Sequence, residues 1–238
     1  KEIKFLCLSN CRYCSSLPPL GQLPSLKELT IEGMHGILQV GHEFYGHDIS
    51  GSFPSLESLT FENMKGWVVW SNIGADGGAI CLPRLKRLRL TDCPNLRGNL
   101  PVHVPSLVNL EITGCTLLRR VLPRVPSAHV LVLQQASWQC PHAELPQALV
   151  VTSVTKLSLV GLEGLEYLPT ELVMLSSLSD FSISYCDNLR SLADVQLPPS
   201  LKSLDIRDCK ALESLPDVLP PLHNLELSFC RRLICIPG

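Results

Sequence analysis

The chain has 238 residues, a formal net charge of −2, and is 45% apolar but only 5% aromatic. A pI of about 6.4 argues against a general nucleic-acid or anionic-membrane binder. No apolar run approaches the roughly 20 residues that span a bilayer, and no signal peptide opens the sequence. The chain starts at Lys1 rather than Met, directly before a predicted strand, and reads as a piece of a longer protein.

In chain order, a first repeat carries Ile3, Leu6, Leu8 and Cys11 and closes at Leu17 and Pro18. A second opens at Leu26 (LKELTIEGM), with Met34 where the first has Cys11, and an insert rich in Gly and His follows over 35–52. A third opens at Leu56 (LESLTFENM), with Met64 on that position. Its insert, 65–82, holds Trp67, Trp70 and the glycine-rich run from Gly74 to Gly78. Repeats tighten at Leu85 and Leu107. A degenerate copy has Ala128, Leu131 and Leu133 on the Leu positions and an irregular stretch, 136–147, with Trp138 and Cys140. Regular copies resume at Val154, Leu178, Leu201 and Leu222.

This makes one domain, 1–238, of about ten irregular repeats starting near 3, 26, 56, 85, 107, 128, 154, 178, 201 and 222. The cleanest copy is LKSLDIRDCKALESLP, from Leu201 to Pro216, and the template is LxxLxLxxCxxLxxLP. Leu204, Asp205 and Ile206 alternate with period two, the mark of a half-buried strand. The apolar spacing then loosens to three at Cys209, Leu212 and Leu215, which predicts a turn or short 3₁₀ piece before Pro216 ends the unit. One such unit cannot bury its own apolar side; stacked copies can, with parallel strands and continuous Leu columns. Each buried Leu or Ile contributes about 1.5–3 kcal/mol, against roughly 1–2 kcal/mol of backbone entropy per ordered residue. Stability therefore depends on neighbouring repeats. The predicted fold is an α/β solenoid of horseshoe form, with the parallel sheet on its concave face and loops and 3₁₀ turns, with few helices, on the convex side. Lys1 and Gly238 show no capping segment, so poor solubility is expected of the isolated piece.

Of the 11 cysteines, Cys11, Cys93, Cys115, Cys186, Cys209 and Cys230 fall on one template position. Such a register predicts a ladder of small buried thiols rather than a disulfide framework. Stacked strands bring neighbours such as Cys209 and Cys230 near disulfide range, but parallel side chains and a reducing compartment would leave them as thiols. No Asn-x-Ser/Thr sequon occurs, consistent with a cytoplasmic or nuclear setting.

Catalytic and metal readings are weak. Cys7, Cys11 and Cys14 have spacing that would suit an iron–sulfur cluster, but the strand puts Cys7 and Cys11 on opposite faces, with Cys11 assigned to the buried ladder. Cys140 and His142 lack a third ligand or orienting carboxylate, and His35, His42 and His47 match no zinc spacing. No enzyme activity, cofactor or metal is therefore expected. Trp67 and Trp70 fit packing of the insert better than an exposed interface anchor.

The better candidates are the polar residues between core positions, which stack in columns on the sheet. One column runs Thr30, Thr60, Arg89, Glu111, Val132, Ser158, Ser182, Asp205 and Glu226. Its neighbour runs Glu32, Glu62, Thr91, Thr113, Gln134, Val160, Ser184, Arg207 and Ser228. The sign of charge changes along this face. Glu28, Glu32, Glu57 and Glu62 open it, Lys86, Arg87 and Arg89 form a basic block, and Asp205, Arg207, Asp208 and Glu226 close it. Such patterning suits docking to charged protein surfaces.

Three stretches carry a family resemblance: GQLPSLKELTIEGMHGILQVGHEFYG (21–46), FPSLESLTFENMKGWVVW (53–70) and LPRLKRLRLTDCPNLRGNLP (82–101). With the later repeats, the chain resembles the leucine-rich-repeat region of plant coiled-coil nucleotide-binding disease resistance proteins. Val68 and Val69 stand where that family often has an acidic pair. The resemblance implies a protein-binding domain that senses pathogen effectors, directly or through a guarded host protein, and restrains a nucleotide-binding domain lying upstream. No phosphate-binding loop is present: His42 and Glu43 follow the stretch from Gly36 to Gly41 where Lys and Ser or Thr are required. The alternative is a substrate adaptor of a ubiquitin ligase, which needs a helical F-box-like segment upstream. A receptor-kinase ectodomain is disfavoured, because its LxxNxxxGxIP phrase and sequons are missing.

Overall fold

The computed structural model describes residues 2–46, 51–71, 82–97, 100, 104–118, 127–135, 153–234 and 236. The glycine run 74–78, His47, the stretch 136–147 with Trp138 and Cys140, and His142 lie outside them. The chain divides into two compact units, Lys1–Ala128 and His129–Gly238.

In the first unit, β1 (Phe5–Ser9), β2 (Glu28–Glu32), β4 (Ser58–Glu62), β6 (Arg87–Thr91) and β7 (Asn109–Thr113) form a parallel sheet in that order. In the second, β8 (Val130–Gln134), β9 (Lys156–Val160), β10 (Asp180–Ser184), β11 (Ser203–Arg207) and β12 (Asn224–Ser228) do the same. Each strand begins two residues after its predicted repeat start. Helix is almost absent among the described residues: 3₁₀ turns at Leu20–Gln22 and Thr170–Met174, and one short α-helix, α1 (His42–Tyr45). The fold is a parallel leucine-rich solenoid.

The bend of the template has a specific cause. At the residue after each strand the backbone is left-handed, with φ of 55° at Asn10, 51° at Asp92, 50° at Asp208 and 61° at Gly33. Its N–H still extends the ladder: Asp208 donates to the Ser228 carbonyl at 2.9 Å and Asn10 to Glu32 at 2.8 Å. The left-handed residue shifts the alternation by one. Cys209 would otherwise face outward with Arg207; instead it is buried. A turn then closes from the Leu212 N–H to the Cys209 carbonyl at 3.2 Å, and the same bond recurs from Leu96 to Cys93 and from Leu189 to Cys186. The strand, bend and CxxL turn together give the LxLxxCxxL spacing.

The cysteine ladder exists in part. Cys93, Cys115, Cys186 and Cys209 are buried, and all eight described cysteines are free thiols. Cys93 donates to the Thr91 carbonyl at 3.4 Å and reaches the Phe61 carbonyl of the preceding rung at 3.9 Å. Cys186 does likewise with Ser184 at 3.6 Å and Leu159 at 3.9 Å. A thiol at this position thus fills the core and meets backbone acceptors. Cys11 departs from expectation: it is exposed, because β1 has β2 on one side and no described strand on the other.

The inserts pack into the first unit. β3 (Gln39–Val40) and β5 (Val69–Trp70) pair in parallel, and Val69 bridges on to Arg97. Trp67 is 0% and Trp70 3% exposed, so neither is a surface anchor. The Phe61 ring lies 4.6 Å from Trp67 and 5.2 Å from Trp70.

Candidate functional site

The alternating strand pattern leaves the first, third and fifth residues of each strand on the outward face of its sheet. In the first unit, Thr30 stands in register with Thr60, Thr60 with Arg89, and Arg89 with Glu111. Glu32, Glu62, Thr91 and Thr113 form the next column, and Glu28, Ser58, Arg87 and Asn109 a third. In the second unit, Val132, Ser158, Ser182, Asp205 and Glu226 align, beside Gln134, Val160, Ser184, Arg207 and Ser228. Lys86 sits one residue before β6, beside Glu57, whose carbonyl accepts the Lys86 N–H at 2.9 Å.

Charges of opposite sign meet across the rungs. Lys86 Nζ lies 2.9 Å from the Glu57 carboxylate, with Lys27 on its other side at 3.9 Å. The hydrogen bond and charge of Lys86 hold the Glu57 carboxyl below its ordinary range. Arg89 pairs with Glu111 at 2.9 Å. The basic block is therefore already partnered at Lys86 and Arg89, and Arg87 has no ion pair among the described residues. Arg207 is pinned between Asp205 and Glu226, 2.8 Å from each, and these carboxylates raise its pKa, Asp205 most. Lys210 meets Asp187 at 2.8 Å, which raises its pKa too. These side chains are between about a quarter and two-thirds exposed; such pairs order the surface but contribute little to stability.

Sequence reasoning missed the column of left-handed residues beside this face. It reads Asn10, Gly33, Asn63, Asp92 and Gly114 in the first unit, and Gln135, Gly161, Tyr185, Asp208 and Phe229 in the second. The recurrence of Asn, Gly or Asp just before the Cys position was the available signal.

Nothing in this geometry assembles a reaction centre from the described residues. Cys7, Cys11 and Cys14 are all exposed, and no three His, Cys, Asp or Glu residues among the described ones come close enough to share a metal ion. His35 Nδ1 is buried with no hydrogen-bond partner among the described residues. A small polar recess is lined by Glu166, Asn188, Arg190, Ala211, Glu213 and Arg232, with Arg232 and Glu213 3.9 Å apart. No helix among the described residues is long and apolar enough to cross a membrane.

A parallel ladder of short strands with a polar, charge-patterned outward face and an apolar Leu and Cys interior defines a leucine-rich-repeat protein. Residues 1–34 match the family described as R13L1/DRL21 LRRs. The chain is 34% identical over 238 residues to disease resistance RPP13-like protein 1 of Arabidopsis thaliana, covering 95% of this chain and 20% of that protein. It is 36% identical over 133 residues to a second disease resistance protein of Arabidopsis thaliana, covering 51% of this chain and 9% of the relative. With TMV resistance protein N of Nicotiana glutinosa it shares 32% identity over 184 residues, 64% of this chain and 16% of that protein. The chain is thus a leucine-rich-repeat region, similar over most of its length to plant NB-LRR disease resistance proteins. It spans a fifth or less of the length of these relatives.

Proposed function

We propose that this chain is the non-catalytic protein-recognition region of an intracellular plant immune receptor. It senses pathogen effectors, directly or through a guarded host protein, and restrains the nucleotide-binding domain of its parent chain. It works without a cofactor, in the cytoplasm or nucleus, where its free thiols stay reduced. The observation that carries this reading is the outward face. Thr30, Thr60, Arg89 and Glu111 in one unit, and Asp205 and Glu226 in the other, are held in register on rigid strands and take no part in the core. Glu28, Thr30, Glu32, Glu62, Lys86, Arg87, Arg89, Glu111, Asp205, Arg207 and Glu226 are the residues assigned to binding. The relatives' names tie those proteins to resistance. The acidic and basic groups of the first unit suit a partner surface of matching opposite charge, and their half-exposed ion pairs open at small cost when it docks. The test is capture of the parent chain's nucleotide-binding region by this chain at low and at high salt. Capture that weakens as salt rises supports the reading; no capture by the folded chain refutes intramolecular restraint.

A further inference from the structure

Two aromatic residues carry backbone strain without any gain in packing. Tyr185 has φ of 56° and Phe229 57°, a region that costs a non-glycine residue roughly 1–2 kcal/mol. Phe53, at 51°, is also left-handed, but its ring is buried and lies 4.8 Å from Phe44. Tyr185 is 60% and Phe229 68% exposed, so burial offsets nothing there. At Tyr185 the exposure is not an edge effect, because β10 is flanked by β9 and β11. The other repeats satisfy the same bend with Asn, Gly or Asp, and in one case with Gln135.

The two rings belong to one column, with Asp208 on the rung between them. The Tyr185 N–H donates to the Arg207 carbonyl at 3.0 Å and the Asp208 N–H to that of Ser228 at 2.9 Å, so the three residues occupy successive rungs. Rungs about 4.8 Å apart put Tyr185 and Phe229 about 10 Å apart. The neighbouring cations are occupied, Arg207 by Asp205 and Glu226 and Lys210 by Asp187, whereas Asp208 has no ion pair among the described residues.

We infer that Tyr185, Asp208 and Phe229 form a receptor slot for one cationic side chain, arginine or lysine, of a protein partner. Rings carried on backbones two rungs, about 10 Å, apart leave room for a guanidinium or ammonium within the roughly 6 Å at which a ring attracts a cation, and Asp208 stands on the rung between them. Arginine fits better, since its planar head stacks on rings and takes a carboxylate in a fork. The charge around the slot favours the same ligand: Asp187, Asp205, Asp208 and Glu226 outnumber Arg207, Lys210 and Arg231. This deepens the protein-recognition reading and rests on it only for the ligand being part of a protein.

The test uses the whole chain and a synthetic probe, acetyl-Gly-Leu-Arg-Leu-Gly-amide, with its citrulline counterpart, which keeps the shape and loses the charge. Binding is read from the backbone amide resonances of Tyr185, Asp208 and Phe229. The expected result is a preference of about five-fold for the arginine peptide at these resonances, lost in Asp208→Asn and in the Tyr185→Asn/Phe229→Asn double variant. Asparagine already occupies this bend at Asn10 and Asn63, so these variants keep the fold. Equal response to both peptides, or an arginine preference that survives in the variants, overturns the slot. If that happens while the charged face of the first unit still captures its partner in a salt-sensitive way, the slot fails and the protein-recognition reading stands.

Discussion

The Trp70 indole N–H donates to the Tyr45 hydroxyl at 2.9 Å in the buried interior, joining the two inserts. Tyr45 belongs to α1 and Trp70 to β5, so one hydrogen bond links segments that the repeat template does not describe. Around it Phe44, Phe53, Phe61 and Trp67 make an aromatic core in a chain otherwise built on leucine. Tyr45→Phe leaves the Trp70 N–H buried without that acceptor and is expected to cost about 1–3 kcal/mol. Trp67→Ala empties a larger volume and is expected to cost about 3–5 kcal/mol. Urea denaturation followed by tryptophan fluorescence measures the first and circular dichroism the second. An unchanged midpoint in both variants would mean that the inserts do not contribute to the core.

The buried thiols set a reactivity pattern. Burial pushes Cys209 up to about 12 and raises Cys186, while the Cys115 thiol and burial together raise Cys93. Iodoacetamide at about pH 8 is expected to modify Cys7, Cys11 and Cys14 and to spare Cys93, Cys115, Cys186 and Cys209 in the native chain. Peptide mapping by mass spectrometry before and after denaturation gives the answer. Labelling of Cys209 at the rate of Cys7 would contradict the ladder.

The same thiols make stability depend on alkaline pH. An unfolded thiol ionises near 8.5, whereas the native Cys209 thiol keeps its proton to about 12. Above about pH 8.5 the unfolded chain therefore binds fewer protons than the native one, and stability falls as pH rises through that window. Urea midpoints compared at about pH 7 and about pH 9.5 are expected to drop, with a shallower drop in Cys209→Ala relative to its own value at neutral pH. A drop of the same steepness in that variant would assign the effect to other groups.

Substitutions in the left-handed column have opposite expected signs. Gly114 has φ of 65°, and an added Cβ would run into Asp92 Oδ1. Gly114→Ala is expected to destabilise by about 1–2 kcal/mol. Tyr185→Asn relieves strain at an exposed site and is expected to stabilise by about 0.5–1 kcal/mol. Thermal or urea unfolding distinguishes them, and a loss of stability in Tyr185→Asn would show that its ring packs after all.

The repeats themselves were legible because they follow a packing rule. Leu204 and Ile206 alternate with Asp205, the spacing widens at Cys209, and the structure places β11 and its turn there. Periodicity reports which residues are buried, and in a solenoid burial repeats. It does not report why the spacing widens: the left-handed residue is a backbone state, and Tyr185 and Phe229 conceal it because aromatic residues rarely adopt it. The outward columns were legible as positions, since register follows from the repeat. Their pairing was not: Lys86 with Glu57, and Arg89 with Glu111, are cross-rung contacts between residues more than 20 positions apart. Cys11 was assigned to the buried ladder because its template position is that of Cys209, but burial needs a neighbour on each side, and among the described residues β1 has one only on the side of β2.

The measurement that tests the central claim most directly is association of this chain with the nucleotide-binding region proposed for its parent chain, for the native chain and for Lys86→Glu/Arg87→Glu/Arg89→Glu. Circular dichroism first establishes that the variant is folded, which the half-exposed positions of Lys86 and Arg89 lead us to expect. The account predicts salt-sensitive binding by the native chain, a loss of at least about ten-fold in the variant, and little remaining salt dependence. Equal binding by both chains across the salt series would contradict it.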